Sequence, residues 1–293
     1  MTLVPRCVLV ERPTEFRELL ARHGTREQAR FFLAQRGVAL GDVEERHLRY
    51  EEVRAGVIGA IPPAWRTAAV GRDDLDRFLF AADDIVVVLG QDGLVANVAK
   101  YLDSQPVIGL NPEPERFPGV LVNQRPEAMA DLCADVAAGR AGVQERTMVR
   151  AALDDGQQLR ALNEIFLGHR THQSARYELT VGDVHEHQSS SGLIVATGTG
   201  ATGWAASINR SVGLDLPVPT AGELAWFVRE AWESPATGAT LTAGVLDAGA
   251  VLTVTGERES VVFGDGIEDD RLTLGWGQRV TIGADERRLR LVV

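Results

Sequence analysis

Apolar positions in the first half of the chain recur in two rhythms. Short apolar runs of strand type alternate with segments whose apolar residues return every three or four positions, the period of a helix face. Val4–Val10 reads as a first strand. Thr14 stands where an N-cap is expected for a helix over Glu15–His23, and Gly24 where that helix stops. Thr25 and Gln28 have capping-box spacing ahead of a second helix, Ala29–Arg36. Val43–Val57 is charged and periodic, and predicts a third. Ala68–Val70 predicts a short strand and Asp73–Leu79 a short helix. Ile85–Leu89 is the clearest buried strand: five apolar residues, four of them β-branched. A helix over Leu94–Leu102, a strand over Pro106–Leu110 and a helix over Pro126–Ala138, ending at Gly139, complete this half. Strands alternating with helices imply βαβ units and a largely parallel sheet.

The rhythm changes after about Gly142. Strand-like runs follow one another at Met148–Leu153, Gln158–Leu167, Arg176–Val181, Gly192–Thr197, Thr240–Val245, Val251–Thr255, Ser260–Phe263, Leu272–Gly275, Arg279–Ile282 and Leu289–Val293. Gly, Asp and Pro punctuate them. A single helix, Gly203–Arg210, interrupts the run. The expected fold is therefore an N-terminal Rossmann-like α/β domain over residues 1–141, followed by an antiparallel β-rich, β-sandwich-like domain over 142–293.

Composition narrows the function. Hydrophobic residues make up 45% of the 293 positions and charged residues 24%, enough to build a real core. A net charge of -11 argues against nucleic acid and anionic membrane as partners, while leaving room for a local basic pocket. No run approaches the roughly 18 apolar residues of a membrane span. The opening MTLVPRCVLVERPT is too short and polar-flanked for a signal peptide. Cys7 and Cys133 show neither metal-ligand nor disulfide spacing, and read as reduced thiols of a cytoplasmic protein.

Three stretches carry chemistry. In IVVVLGQDGLVANVAKYL, Ile85–Leu102, a buried strand ends in Gly90, Gln91, Asp92 and Gly93, and a helix follows at once. Glycines at a strand–helix turn let a phosphate approach the unpaired N–H groups at the helix start. A carboxylate there would repel phosphate unless it also does something else, such as handling the proton of an attacking hydroxyl, holding Mg²⁺, or capping the helix. In SSSGLIVATGTGATGWAASINR, Ser189–Arg210, a second strand–turn–helix places the hydroxyls of Thr197, Thr199, Thr202 and Ser207 beside glycines, with the flat face of Trp204 next to them. In ALNEIFLGHR, Ala161–Arg170, the polar pair Asn163–Glu164 interrupts an apolar strand, and such a pair needs partners, a ribose or a loop backbone.

In this order the three stretches resemble the NAD kinase family. A Gly-Gly-Asp-Gly motif becomes GQDG, an Asn-Glu pair follows in the β-rich part, and then comes a Thr/Gly-rich turn, TGTGATGW. PVIGLN, SARYEL and FVREAW agree with the flanks; the TGTG turn, INR and PERFPG are closer in style to mitochondrial-type NAD/NADH kinases. The resemblance spans roughly Ile85 to Gly266. It implies phosphoryl transfer from ATP or another donor, with Mg²⁺, to the 2′-hydroxyl of NAD or NADH. Asp92 would orient or deprotonate that hydroxyl. Asn163 and Glu164 would hold the ribose, and Thr202, Gly203, Trp204 and Ser207 would line the dinucleotide site. Gly90, Gln91 and Gly93 would meet phosphate. Small nucleotides are then the partners, and a homo-oligomer, dimer or tetramer, is implied.

The chain departs from the family at Gln91, in place of the second glycine, at Leu94, in place of threonine, and at Ser191, in place of a common aspartate. A glutamine held at positive φ would cost about 1 kcal/mol or more. Two other readings stand beside the kinase: a binder or sensor of NAD with weak catalysis, and a lipid or diacylglycerol-type kinase with the same glycine–aspartate motif. No metal ligands are assigned. His185-Glu186-His187 reads as a solvated turn, and GDGIEDD, Gly264–Asp270, fails the calcium-loop spacing and leaves Asp265 a structural residue.

Overall fold

The structure, a computed structural model, describes residues 4–293. They divide into two compact units. One holds the residues up to Tyr101, Gln105–Val143 and Leu291–Val293; the other holds Leu102–Ser104 and Gln144–Arg290.

In the first unit β1 (Arg6–Glu11) leads through α1 (Glu15–His23), α2 (Arg26–Ala34) and α3 (Leu40–Ala60) to β2 (Arg66–Gly71). A 3₁₀ turn at Arg72–Arg77 precedes β3 (Asp84–Leu89), α4 (Asp92–Ala99), β4 (Pro106–Leu110) and α5 (Met129–Ala137). The strands run parallel in the order β2-β1-β3-β4. Every residue of β3 is buried, as expected of a strand covered on both faces. Thr14 and Thr25 cap α1 and α2 by accepting from Arg17 N and Gln28 N, and Gly24 closes α1 at φ 77°. Cys7 and Cys133 are free and buried. Burial pushes the Cys7 thiol up to about 12 and the Cys133 thiol to about 11, so both stay protonated at neutral pH.

The second unit is antiparallel. It comprises β5 (Val143–Leu153), β6 (Gln158–Ala161), β7 (Glu164–Gly168), β8 (Ala175–Val181), β9 (Val184–Ser190), β10 (Gly192–Ala196), α6 (Trp204–Val212), β11 (Leu224–Arg229), β12 (Ala243–Leu246), β13 (Val251–Gly256), β14 (Ser260–Gly264), β15 (Ile267–Leu274) and β16 (Arg279–Val292). Strands β12-β11-β10-β7-β14-β15 form one sheet, and β16-β13-β8-β9 lie together in another. Their alternate residues interlock in a single core that includes Ile165, Tyr177, Val195, Trp226, Val254 and Ile282. On the opposite face of the six-stranded sheet, Phe166, Ile194, Ala196 and Phe227 pack with Ala205 of α6.

The structure corrects several expected elements. The strand expected over Gln158–Leu167 is two strands, broken at Leu162–Asn163. The expected His185–His187 turn is strand β9: the turn sits at Gly182-Asp183, and β8 and β9 pair from Val181↔Val184 outward. Glu186 accepts from Thr240 and Leu241 N–H groups, and His187 bonds Glu257. Arg279–Ile282 and Leu289–Val293 belong to one long strand, and β11 is a strand that the periodicity does not predict.

Candidate functional site

The first part of the site is the turn from β3 into α4. Gln91 occupies the N-cap position with φ -108° and ψ 165°, ordinary extended backbone, so glycine is not required there and the strain of a positive φ is absent. Asp92 is the first helical residue and does not cap α4. Its carboxylate reaches back to the loop after β4, where Oδ2 accepts from Val120 N at 2.9 Å and Oδ1 accepts from Leu121 N at 2.8 Å and Val122 N at 3.0 Å. That loop presses on β4 because residue 109 is glycine: a Cβ there would lie 2.1 Å from the Leu121 carbonyl oxygen. Leu94 is buried, and its side chain packs 3.1 Å from where a Cβ on Gly90 would stand, an apolar plug in place of a hydroxyl.

The second part lies wholly in the β unit. Asp265, at φ 53° in the β14–β15 turn, accepts from Leu162 N at 3.0 Å, Asn163 N at 2.7 Å and Glu164 N at 3.4 Å. Those bonds take up the amides of the strand break, which leaves Asn163 between the strands and Glu164 as the first residue of β7, paired with Ala196. Thr197 ties the TGTG turn to the same segment. Its hydroxyl donates to Leu162 O at 2.6 Å and accepts from Thr199 N at 3.1 Å and Gly200 N at 3.2 Å, and its N–H donates to Asn163 O at 2.9 Å. Gly200 is required, since a Cβ would fall 2.1 Å from Asn163 O.

On this frame the Asn163 and Glu164 side chains are half-buried and make no hydrogen bond among the described residues. Burial, reinforced by the Asp265 charge, raises the Glu164 carboxyl to about 7. Thr202 turns its hydroxyl back to Thr199 O at 2.9 Å, while Gly203 and Ser207 are exposed. The Trp204 ring stacks on Phe166, with centroids 5.9 Å apart, and the Arg229 guanidinium lies 5.3 Å from its centroid. It therefore belongs to an aromatic–cation cluster rather than standing free. That cluster borders a cavity of about 560 Å³, lined also by Arg170, Arg271 and Ser191.

Gly90, Gln91, Asp92 and Gly93 thus sit together in the first unit, and Asn163, Glu164 and the Thr197–Ser207 turn together in the second. Neither the clamping part of Thr197 nor Arg229 is evident from the sequence. The only signal for Asp265 as a clamp is its Asp-Gly turn. Among the described residues no three His, Cys, Asp or Glu side chains converge as a metal cage, and both oxygens of Asp92 already accept amides. These residues do not fit a resident metal.

No family model matches the chain. The chain is similar to the rat protein named NAD kinase 2, mitochondrial: 28% identical over 256 residues, 70% of this chain and 60% of the rat protein. The human protein of that name is likewise 28% identical over 256 residues, covering 58% of its length. The Azotobacter vinelandii NAD kinase is 36% identical over 133 residues, 42% of this chain and 44% of that protein. The chain thus spans about 60% of the length of the mitochondrial relatives it matches.

Proposed function

We propose that this chain is a member of the NAD kinase family and transfers a phosphoryl group from ATP or another phosphate donor to the 2′-hydroxyl of NAD or NADH, a reading supported by its similarity to proteins of that name. The observation that carries the reading is the Asn163–Glu164 pair. Two half-buried polar side chains with no hydrogen bond among the described residues stand at the start of β7, where bonds to Asp265 and Thr197 hold the backbone. A ribose diol supplies the donors and acceptors they lack.

The dinucleotide then runs along Thr202, Gly203, Trp204 and Ser207. The GQDG turn, through Gly90, Gln91 and Gly93, meets the donor phosphates. Asp92 acts as base or orienter: its carboxylate is fixed by three amides, so it positions the reacting groups. Mg²⁺ travels with the donor and neutralises its charge. We place the protein in the cytoplasm as a dimer or tetramer. Among the described residues no helix is long and apolar enough to cross a membrane.

The test is formation of NADP or NADPH by the purified protein from NAD or NADH with ATP or polyphosphate and Mg²⁺. One observation favours a second reading, a binder of NAD without turnover. Asp92 has both oxygens engaged, and Leu94 stands where the family has a hydroxyl. Tight NAD binding with no product from any pairing would decide for it.

A further inference from the structure

The cavity beside Trp204 lies wholly within the second unit. Phe166 of β7 and Phe263 of β14 line it with aromatic rings whose centroids are 4.9 Å apart, and Trp204, stacked on Phe166, continues the series. Arg229 at the end of β11, Arg271 of β15 and Arg170 beyond the end of β7 line it with charge. At about 560 Å³ it has the size of a small-molecule site.

Its place along β7 decides which part of a dinucleotide reaches it. Asn163 and Glu164 stand at the head of β7 and Gly168 at its end. The five residues of that strand span about 13 Å. Arg170 lies beyond the far end. When Asn163 and Glu164 hold the adenosine ribose, whose 2′-hydroxyl reacts, the ring that extends into the cavity is the one on the other ribose, two phosphates further on. That ring is nicotinamide.

Nicotinamide is a cation in NAD and uncharged in NADH, so the charges at the cavity bear on which form is taken. Arg170 and Arg271 are exposed, and solvent and salt screen them. Glu268, the one carboxylate among the lining residues, is exposed as well. His169 accepts from Thr171 N at 3.0 Å through Nδ1, which keeps that ring neutral. Arg229 differs from these. Its side chain is half-buried, and its guanidinium lies 5.3 Å from the Trp204 ring centroid, within cation–π range. Its ion pair with Glu230 is long, 3.8 Å, and Glu230 is exposed, so the pair leaves much of the arginine's charge to the cavity. The largest aromatic surface of the site therefore already carries a cation. An uncharged dihydronicotinamide packs on these rings beside Arg229, whereas the ring of NAD brings like charge against it in a partly desolvated place.

We propose that Arg229, held over Trp204, makes this site select the reduced dinucleotide, NADH, over NAD. The assignment rests on the NAD kinase reading and names which of its two substrates the cavity favours.

The experiment is calorimetric titration of the full chain by NAD and by NADH without a phosphate donor, followed by kcat/KM for each with Mg²⁺-ATP. Wild type, Arg229→Met and Arg229→Lys are compared at low and high salt. Wild type should bind NADH tighter than NAD by about tenfold or more, the scale of one like-charge contact in a half-exposed site. Arg229→Met keeps the apolar stem and should bring the two affinities within about threefold of each other by tightening NAD. Arg229→Lys should keep the preference, and high salt should narrow it in wild type. Equal affinities in wild type, or tighter binding of NAD, overturn the proposal. So does an equal loss for both ligands in Arg229→Met, which would put the guanidinium on the phosphates they share. Should that variant not fold, a wild-type preference that ignores salt overturns it instead. A preference for NADH without NADP(H) formation would remove the kinase reading and leave the ring selection standing; turnover with equal affinities would remove the selection alone.

Discussion

Replacing Asp92 separates its structural role from its chemical one. The carboxylate accepts three successive amides, Val120, Leu121 and Val122. In Asp92→Ala those donors lose their acceptor. Val120 is 42% exposed, so water can take its place, whereas Leu121 and Val122 are each 2% exposed. A buried amide left without a partner costs about 1–3 kcal/mol, so two give about 2–6 kcal/mol. Asp92→Asn keeps one carbonyl oxygen, which can retain the Leu121 and Val122 bonds without the charge and turns its NH₂ toward the Val120 N–H. Its expected cost is about 0.5–1.5 kcal/mol, the net worth of one hydrogen bond, because the donor that loses its partner is the one open to water. Urea unfolding measures the total, and hydrogen exchange at Leu121 and Val122 measures the clamp itself, with about tenfold faster exchange per 1.4 kcal/mol of lost protection. Unchanged exchange at both amides in the Ala variant, with stability within about 0.5 kcal/mol of wild type, would refute the clamp. In the kinase assay the Asn variant should lose most NADP(H) formation while still binding NAD. Full activity in that variant would remove Asp92 from the chemistry.

The remaining predictions follow from single distances and shifts. The Glu164 carboxyl, raised to about 7 chiefly by burial, binds its proton more tightly folded than unfolded, so folding stability falls as pH rises from the ordinary carboxylate range through about 7. The loss is at most about 3 kcal/mol. Glu164→Gln has no charge to bury and should gain on wild type over that window; parallel stability–pH curves would contradict this. Gly200→Ala brings a methyl to 2.1 Å from Asn163 O and should cost about 1–3 kcal/mol and weaken NAD binding, as thermal unfolding and titration would show; an unchanged affinity would detach the TGTG turn from the Asn-Glu pair. Gln91→Gly restores the family motif at a residue with φ -108°, so it should lower stability by about 0.5–1 kcal/mol rather than relieve strain. A stability gain in chemical unfolding would show that the backbone there is strained after all.

The parts of the fold carried by local patterns were legible. Ile85–Leu89 stands out because a strand buried on both faces is apolar throughout, and α1 announces itself by Thr14 and Gly24 at its ends. The parts set by contacts distant in sequence were not. Nothing in Gln158–Leu167 signals a break at Leu162–Asn163; the break exists because Asp265, more than 100 residues later, takes the amides that a continuous ladder would use. Strand β9 was hidden because its polar residues, Glu186 and His187, find partners on Thr240, Leu241 and Glu257 rather than in water. The site motifs were legible as glycine, hydroxyl and acid in order.

Asp92 and Asp265 turn out to use one device. Each sits beside a glycine on a tight turn, and each gathers three consecutive backbone amides from a neighbouring segment of its own unit. The difference lies in what the gathered segment presents. Asp265 holds the strand break at Asn163 and Glu164. Asp92 holds the loop after β4, at Val120, Leu121 and Val122. A carboxylate occupied in this way is held in place by amides that water cannot all reach. It is a good fixed charge, since its orientation is set before any ligand arrives.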